Sequence, residues 1–349
     1  MKVLVGGAAA LMLVSSGLTG APQLADEPAD RASESVSAVL DASPELESLA
    51  VSLDAEAGDV LSAAEHRVVA ELDLGDGVVE LESLGGDERT QVVTMVFADT
   101  SELVGPEVDG ETGLVTYAHP SDFTYVPVLR DDATVQAHTV IEGPSAPSSY
   151  TYRIGLPDGG QMIPAGDAVL ILDSEGEMVA GVAPAWANDA EGRELSTSYE
   201  IDGDLLTQVV DHSDAAYPVV ADPWLGVNLF GHVYTDWTGG DMRVNARVSP
   251  WGLAVWAGAA GGGILGGQVI LNTAGWTEVQ SRGADVRHAL NKPSQRQQFE
   301  CHALASAFTG RPGDRWPEWN LEKWRPNRTA HWSFGVVWHR CNWKTAHQY

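Results

Sequence analysis

The sequence predicts an antiparallel, sandwich-like all-β N-terminal domain followed by a small disulfide-closed α+β C-terminal domain. Short runs of β-branched and aromatic residues, separated by turn formers, extend from Arg67 to about Asp222. Up to Asp222 the chain has 7 Lys/Arg and 41 Asp/Glu, which gives this part a net charge of -34. After Asp222 it has 13 Lys/Arg and 8 Asp/Glu, a net charge of +5. Eleven of the 12 tryptophans also follow that point. Surfaces this different indicate two domains.

The first residues have the features of an export signal. Lys2 precedes an apolar run from Val3 to Val14 and then small residues, which predicts a signal peptide over residues 1–21 with cleavage after Ala21. The run is shorter than the roughly 20 residues of a membrane span, so a permanent anchor is the weaker alternative. We therefore expect a secreted protein, extracellular or associated with the cell surface.

Residues 22–62 are acidic, rich in Ala and Ser, and without an aromatic residue. Such a composition buries little apolar area, so we expect a flexible leader that contains one short helix.

Residues 63–222 form the predicted β domain. Runs such as "RVVAELDL", "TQVVTMVF" and "FTYVPVL" alternate with turns such as "LGDGV" and "LPDGG". Most acidic residues alternate with apolar ones, which favours a solvated strand face and solubility over cation binding. The closing stretch, Ala183 to Trp224, resembles a β-module of secreted proteins of high-GC Gram-positive bacteria. That resemblance implies a carrier whose specificity lies downstream.

Residues 223–274 contain a predicted hairpin around Gly239 and Gly240, then an uncharged stretch from Gly252 to Leu271 with seven glycines. Glycines at every fourth position would give a helix flat faces for close packing. Packing within the C-terminal domain is the first interpretation. A membrane-inserting segment and a flexible loop are the alternatives.

Residues 275–349 form the predicted C-terminal domain. The segments "SRGADVRHAL" and "QRQQFECHALASAF" are typical of helices, "PEWNLEKWRPNRT" of a turn-rich strip, and "HWSFGVVWHRCNW" of a strand that ends at Cys341. Cys301 and Cys341 are the only cysteines, and export favours their pairing. A Cys2His2 zinc site with His302 and His339 would require that the disulfide not form.

This part resembles a family of secreted bacterial proteins known as domain of unknown function 2599. The resemblance rests on Gly275-Trp276-Thr-Glu278, Gln298-Phe299-Glu-Cys301-His302, Trp319-Asn320-Leu321-Glu322 with Trp324-Arg325-Pro326, and Cys341-Asn342. Trp343 stands where the family pattern has proline. The resemblance implies that the cysteines pair, and it implies no known activity.

Two interpretations of the tryptophan strip remain open. In one, Arg325 pairs with Glu322 and stacks on an indole, which would fix the turn as a structural clamp. In the other, exposed side chains form a platform for sugars or anionic polymers, because indole faces stack on sugar rings and arginine pairs with carboxylate or phosphate. The predicted ligand-binding residues are Trp316, Trp319, Trp324 and Arg325.

The candidate catalytic residues are His302 with Glu300 or Glu322. The sequence contains neither a "GxSxG" nucleophile motif nor an "HExxH" metal motif, and we predict no metal and no cofactor.

The sequence thus supports three functional hypotheses. The first is a non-enzymatic binding module that contacts a cell-wall polymer or another extracellular protein. The second is a secreted hydrolase or toxin-like effector that uses His302 and a carboxylate. The third is a membrane-active, bacteriocin-like protein that uses residues 252–271. A C-terminal charge of only +5, without a recognisable nucleic-acid-binding motif, argues against nucleic acid.

Overall fold

The computed structural model describes residues 28–52, 59–84, 90–257, 265–309 and 318–347. The predicted signal peptide lies outside these residues. The predicted fold class is confirmed: a β sandwich precedes a smaller domain of helices and three strands. The strands of the sandwich are, in chain order, β1 (Val60–Glu65), β2 (Val68–Asp73), β3 (Val78–Leu84), β4 (Thr90–Phe97), β5 (Val104–Val108), β6 (Val115–His119), β7 (Phe123–Leu129), β8 (Val135–Ile141), β9 (Ser149–Gly155), β10 (Gln161–Ala165), β11 (Ala168–Leu172), β12 (Met178–Val182), β13 (Trp186–Asn188), β14 (Thr197–Asp202), β15 (Leu205–Val210), β16 (Val219–Asp222) and β17 (Trp224–Gly226).

The sandwich strands form two antiparallel sheets that enclose one core. One sheet has the order β1-β2-β3-β4-β9-β15-β14. The other has the order β10-β11-β12-β17-β8-β7-β6-β5, with β16 beside β8 and β13 beside β16. Leu72 and Leu81 of the first sheet and Tyr125 and Val135 of the second are fully buried in this core. Residues along β2 are alternately buried and exposed, as expected for a strand with one side in the core and the other in solvent.

Part of the predicted flexible leader is packed on the second sheet. Helices α1 (Pro28–Ala42) and α2 (Leu46–Leu49) cover β7, which is buried along its whole length. Val36 and Val39, three residues apart on α1, pack with Val126 and Val128. The overall composition of the leader does not reveal this apolar stripe, because it consists of only two valines at helical spacing. Two such residues suffice to anchor a short helix to an apolar sheet face.

The sandwich continues past the predicted boundary at Asp222. Strand β17 follows that boundary, and it pairs with both β12 and β8. The smaller domain packs directly on β17, where Trp251 is fully buried against Gly181 and Gly226 and its indole Nε1 donates to Trp224 O at 3.0 Å. A Cβ at position 226 would lie 3.0 Å from the Trp251 ring, so glycine permits this close approach.

The C-terminal domain is a three-stranded antiparallel sheet with helices packed on one face. The sheet order is β18-β19-β20, and the core includes Phe230, Val244, Phe299 and Trp319. The elements are β18 (Phe230–Thr238), β19 (Asp241–Val248), α3 (Pro250–Ala257), α4 (Leu265–Ser281), α5 (Ala284–Ala289), α6 (Pro293–Thr309), β20 (Glu318–Glu322) and α7 (Val336–His339). The predicted hairpin is confirmed: Gly239 and Gly240 have φ of 61° and 85° between β18 and β19, as a tight hairpin turn requires.

The glycine-rich stretch contributes to α3 and α4, on either side of residues 258–264, which lie outside the described residues. Gly267 packs so closely on the α3 backbone that a Cβ would lie 2.1 Å from Val255 O. Among the described parts of the chain, none of the helices combines the length and the apolar character needed to span a bilayer.

The predicted strand over "HWSFGVVWHRCNW" is wrong, because this segment contains the short helix α7 instead. Gly335, Arg340 and Cys341 have φ of 76°, 46° and 69°, in the left-handed region and far from the dihedral angles of a regular strand. The predicted turn-rich strip, by contrast, begins with a true strand, β20, that pairs with β19.

A carboxylate fixes the first residues of the C-terminal domain. Glu278 of α4 accepts hydrogen bonds from the backbone N–H of Leu229 at 2.7 Å and of Phe230 at 3.0 Å. Arg282, the residue after α4, contacts Glu278 and the carbonyl of Phe230. The chain is thus fixed where it leaves the sandwich and enters β18.

Candidate functional site

Two consecutive glutamines of α6 bond to the peptide backbone of the tryptophan strip. Gln298 Nε2 donates to Glu322 O at 3.0 Å, and Gln298 Oε1 accepts from Glu322 N at 2.8 Å. Gln297 makes the same pair of bonds with Arg328, at 3.1 and 2.9 Å. The buried Gln298 therefore occupies the free edge of β20, where a further strand would otherwise pair.

His302 lies under the same strand and not in an open cleft. Its imidazole is 8 % exposed and stacks on Trp319, with ring centroids 5.8 Å apart and an interplanar angle of 10°. Burial lowers the pKa of His302 to about 4, although a hydrogen bond with Asn342 opposes this shift. Asn342, with its amide nitrogen facing the acceptors, donates to Asn320 O at 3.1 Å and to Gln298 Oε1 at 3.2 Å. The geometry favours packing by His302 over proton transfer.

Arg325 links three parts of the strip. Its guanidinium contacts the carboxylate of Glu322, donates to Trp343 O at 3.2 Å and lies 5.8 Å from the Trp324 ring centroid. Trp324 is half-buried and covers the hairpin turn at Gly239, where a Cβ would lie 2.8 Å from the indole. Arg325 and Glu322 are themselves only 18 % and 11 % exposed. This arrangement has the contacts expected of a clamp.

The disulfide lies in a small core of its own. Cys301 and Cys341 are bonded, with Cα atoms 5.4 Å apart, and both are fully buried with Trp343. Trp343, found where the family pattern has proline, donates from Nε1 to Pro326 O at 2.7 Å. The zinc alternative is thereby overturned, because both thiols are consumed. No cluster of His, Cys, Asp or Glu within the described residues could hold a metal ion.

The structure therefore brings most of the predicted site residues together as packing groups. Trp319 is 1 % exposed and Glu322 8 % exposed, and Glu300 is half-buried on α6. Trp316 lies outside the described residues.

A different pair of aromatic residues is exposed. Phe334, just before α7, and Trp338, within it, are 69 % and 74 % exposed. Arg340 and Lys344 follow them and are also exposed. We refer to Phe334, Trp338, Arg340 and Lys344 as the aromatic–basic surface. The sequence prediction missed it because a strand at this position would have buried alternate residues.

Hydrogen bonds from Arg328 fix the loop that precedes the aromatic–basic surface. The guanidinium donates to Phe334 O at 3.0 Å and to Ala330 O at 3.2 Å, and it lies 5.2 Å from the ring centroid of Trp343. Arg328 is 7 % exposed, so its main role is to fix the loop. Cys341 anchors the other end through the disulfide.

A second group of polar residues lies on the sheet face opposite the helices. Strand pairing aligns nine side chains in three rows, one residue per strand. We refer to them as the polar sheet face: His232, Arg247 and Glu318; Tyr234, Asn245 and Asn320; Asp236, Arg243 and Glu322. Sequence reasoning missed this face, although the alternation in "HVYTDW", "RVNAR" and "EWNLE" could have revealed it.

Two ion pairs and an amide hydrogen bond connect neighbouring strands within these rows. Arg243 Nε donates to Asp236 at 3.0 Å, and this bond raises the pKa of Arg243 and lowers that of Asp236. Arg247 Nη2 lies 3.3 Å from Glu318 Oε2. Asn320 Nδ2 donates to Asn245 Oδ1 at 2.7 Å.

Comparison with known families gives one match. A family model described as "Protein of unknown function (DUF2599)" matches residues 253–343. The resemblance of the C-terminal part is thereby confirmed. No curated protein and no solved structure matches the chain.

The DUF2599 match begins upstream of Gly275, where the resemblance was first visible, and ends at Trp343. The match includes β20 but not β18 or β19, the other two strands of the sheet to which β20 belongs. The folded domain is therefore larger than the DUF2599 match, and it begins near Asn228.

Proposed function

We propose that this is an exported, two-domain protein whose C-terminal domain binds an anionic polysaccharide of the cell envelope through the aromatic–basic surface. The exposure of Phe334 and Trp338 carries the proposal. Large aromatic side chains on a protein surface are typical of binding sites, and Trp is among the residues that contribute most to interfaces.

The charge around these rings indicates the class of ligand. Residues 323–349 contain five Lys/Arg and no Asp/Glu, in a chain whose net charge is -29. Ring faces stack on the apolar faces of sugars, and guanidinium and ammonium groups pair with carboxylate or phosphate. A polysaccharide with acidic groups satisfies both requirements.

The surface is also held in place before any ligand arrives. Arg328 bonds to the loop from below, and the Cys301–Cys341 disulfide closes it. A loop whose backbone is already fixed loses less conformational entropy on binding, so even a small surface can contribute useful affinity. In this proposal the acidic β domain serves as a soluble carrier, and export rests on the apolar N-terminal run.

The test uses the full-length mature protein, with Trp338→Ala and Phe334→Ser as variants and Trp237→Ala as the matched control. Trp237 is 72 % exposed but belongs to β18 and not to the aromatic–basic surface. Sedimentation with purified wall polysaccharide should weaken about tenfold or more for the first two variants, and thermal melts should be unchanged.

An equal loss of binding in the Trp237→Ala protein, or undiminished binding by both surface variants, would contradict the proposal. Vesicles of anionic phospholipid provide the second arm. Sedimentation with vesicles but not with polysaccharide would assign the surface to a membrane instead.

A pair of charge reversals, Arg340→Glu and Lys344→Glu, should weaken polysaccharide binding most at low salt, because salt screens exposed charges.

A further inference from the structure

The first row of the polar sheet face places three chemically complementary groups in a line. His232, Arg247 and Glu318 are paired across β18, β19 and β20. His232 is exposed, and the Arg247 and Glu318 side chains are 52 % and 26 % exposed. The described helices of this domain pack on the opposite face, so a solute can reach the row.

The spacing of the row suits an in-line displacement at phosphorus. Adjacent strands lie about 4.8 Å apart, so the outer two residues of the row are separated by about 9.6 Å at the backbone. An acid and a base that act on the leaving and attacking oxygens must stand on opposite sides of the phosphorus, each within about 3 Å of its oxygen. A guanidinium between them can hold the phosphate oxygens.

The row supplies no nucleophile of its own. It contains neither serine, threonine nor cysteine, so the attacking oxygen must come from the substrate or from water. A hydroxyl on the carbon adjacent to the one that bears the phosphoester oxygen is the better candidate, because it is already positioned for attack.

One neighbour favours this use of Glu318. Tyr234 Oη lies 3.5 Å from Glu318 Oε2, and the Tyr234 ring is 4.9 Å from that of His232. Tyr234 is a positioning residue in this arrangement.

We propose that the row His232–Arg247–Glu318 cleaves phosphodiesters that carry a hydroxyl on the neighbouring carbon, as in ribonucleotide and polyol-phosphate chains. Glu318 takes the proton of that hydroxyl, whose oxygen forms a new bond to phosphorus. The bond from phosphorus to the leaving oxygen breaks, and His232 as imidazolium protonates that oxygen. Arg247 holds the phosphate oxygens. The products are a cyclic phosphodiester and an alcohol, and the reaction needs no cofactor or oxidant.

The first experiment uses 2-hydroxypropyl 4-nitrophenyl phosphate, with bis(4-nitrophenyl) phosphate as the probe that lacks the hydroxyl. The full-length protein should release nitrophenolate from the first probe only. Glu318→Gln should lower kcat/KM about 100-fold or more, because the general base is lost. His232→Asn should change it little, since nitrophenolate leaves without a proton. Trp237→Ala, on the opposite face of β18, should equal the parent protein.

The second experiment uses substrates with a poor leaving group: a dinucleoside monophosphate and a poly(glycerol phosphate). Here both His232→Asn and Glu318→Gln should lower the rate about 100-fold or more. The two substrates distinguish the ribonucleotide from the polyol-phosphate source. Melting temperatures of all variants should match the parent.

Absence of any cyclic product, or equal rates in the parent and the Glu318→Gln protein, would overturn the proposal and leave the row as ordinary cross-strand ion pairs. The aromatic–basic surface contributes no residue to the row. Loss of polysaccharide binding and loss of cleavage are therefore separable.

Discussion

The side-chain amide of Gln298 and the peptide unit of Glu322 exchange two hydrogen bonds, as two residues of paired antiparallel strands do. The family pattern around Gln298 and around Glu322 thus describes one contact between α6 and β20. Its physical role is to complete the sheet edge inside the protein, where water cannot satisfy the backbone.

Replacement of Gln298 by alanine should destabilise the C-terminal domain by roughly 2–4 kcal/mol, because Glu322 N and O would both be buried without a partner. The matched control is Gln297→Ala, which breaks the same pair of bonds with Arg328 at a half-buried position that water can enter. Urea denaturation of both variants would measure the difference. Equal losses would show that edge completion is not what Gln298 provides.

Removal of Arg325 should cost about 2–4 kcal/mol, since the largely buried Glu322 carboxylate would lose its charge partner. The double variant Glu322→Gln with Arg325→Met should lose less than the sum of its two single variants. Trp338→Ala, on an exposed side chain, should stay within about 0.5 kcal/mol of the parent. A double-mutant cycle followed by chemical denaturation would measure the coupling. A stable Arg325→Ala protein would instead revive the platform interpretation.

The contribution of His302 to the stability of the C-terminal domain should fall as the pH decreases from 6.5 to 4. Burial lowers the pKa of His302 to about 4 from its ordinary value of 6.5. The unfolded chain therefore binds more protons than the folded protein within this window, and folding stability rises with pH there. The loss at the acidic end is at most about 3 kcal/mol, at 1.36 kcal/mol per pKa unit.

The control for this prediction is His331→Gln, which removes an exposed imidazole, whereas His302→Gln should remove the contribution of His302 to the pH dependence. Denaturation series between pH 4 and 7 on the two variants would compare their slopes. A slope unchanged by His302→Gln would assign the pH dependence to other groups.

Glu278→Ala should make the chain between the domains accessible to protease. The backbone N–H groups of Leu229 and Phe230 and the guanidinium of Arg282 would lose their shared acceptor. The sequence alone predicts cleavage near residues 222–228 in the parent protein, whereas the packing of β17 predicts resistance there. Limited proteolysis of the parent, of Glu278→Ala and of the exposed-site control Thr277→Ala would decide between them.

The fold class, the disulfide and the hairpin at Gly239 and Gly240 follow from the sequence. They depend on local signals: strand alternation, glycine at positive φ, and two cysteines without competitors. The hydrogen-bonded position of Gln298 does not follow from such signals, because a glutamine on a helix shows no preference for any particular partner along the chain.

The sequence by itself determined where the unusual residues lie, but only the tertiary structure decided which of them face solvent. Trp319 and Trp338 are the same residue type in the same region, yet one is 1 % exposed and the other 74 %. The difference arises because β20 pairs with β19, a strand about 70 residues earlier in the chain. Gln298 occupies the other edge of β20. The chain after β20 therefore leaves the sheet and continues to α7. Burial is set by such long-range contacts, which no local pattern encodes.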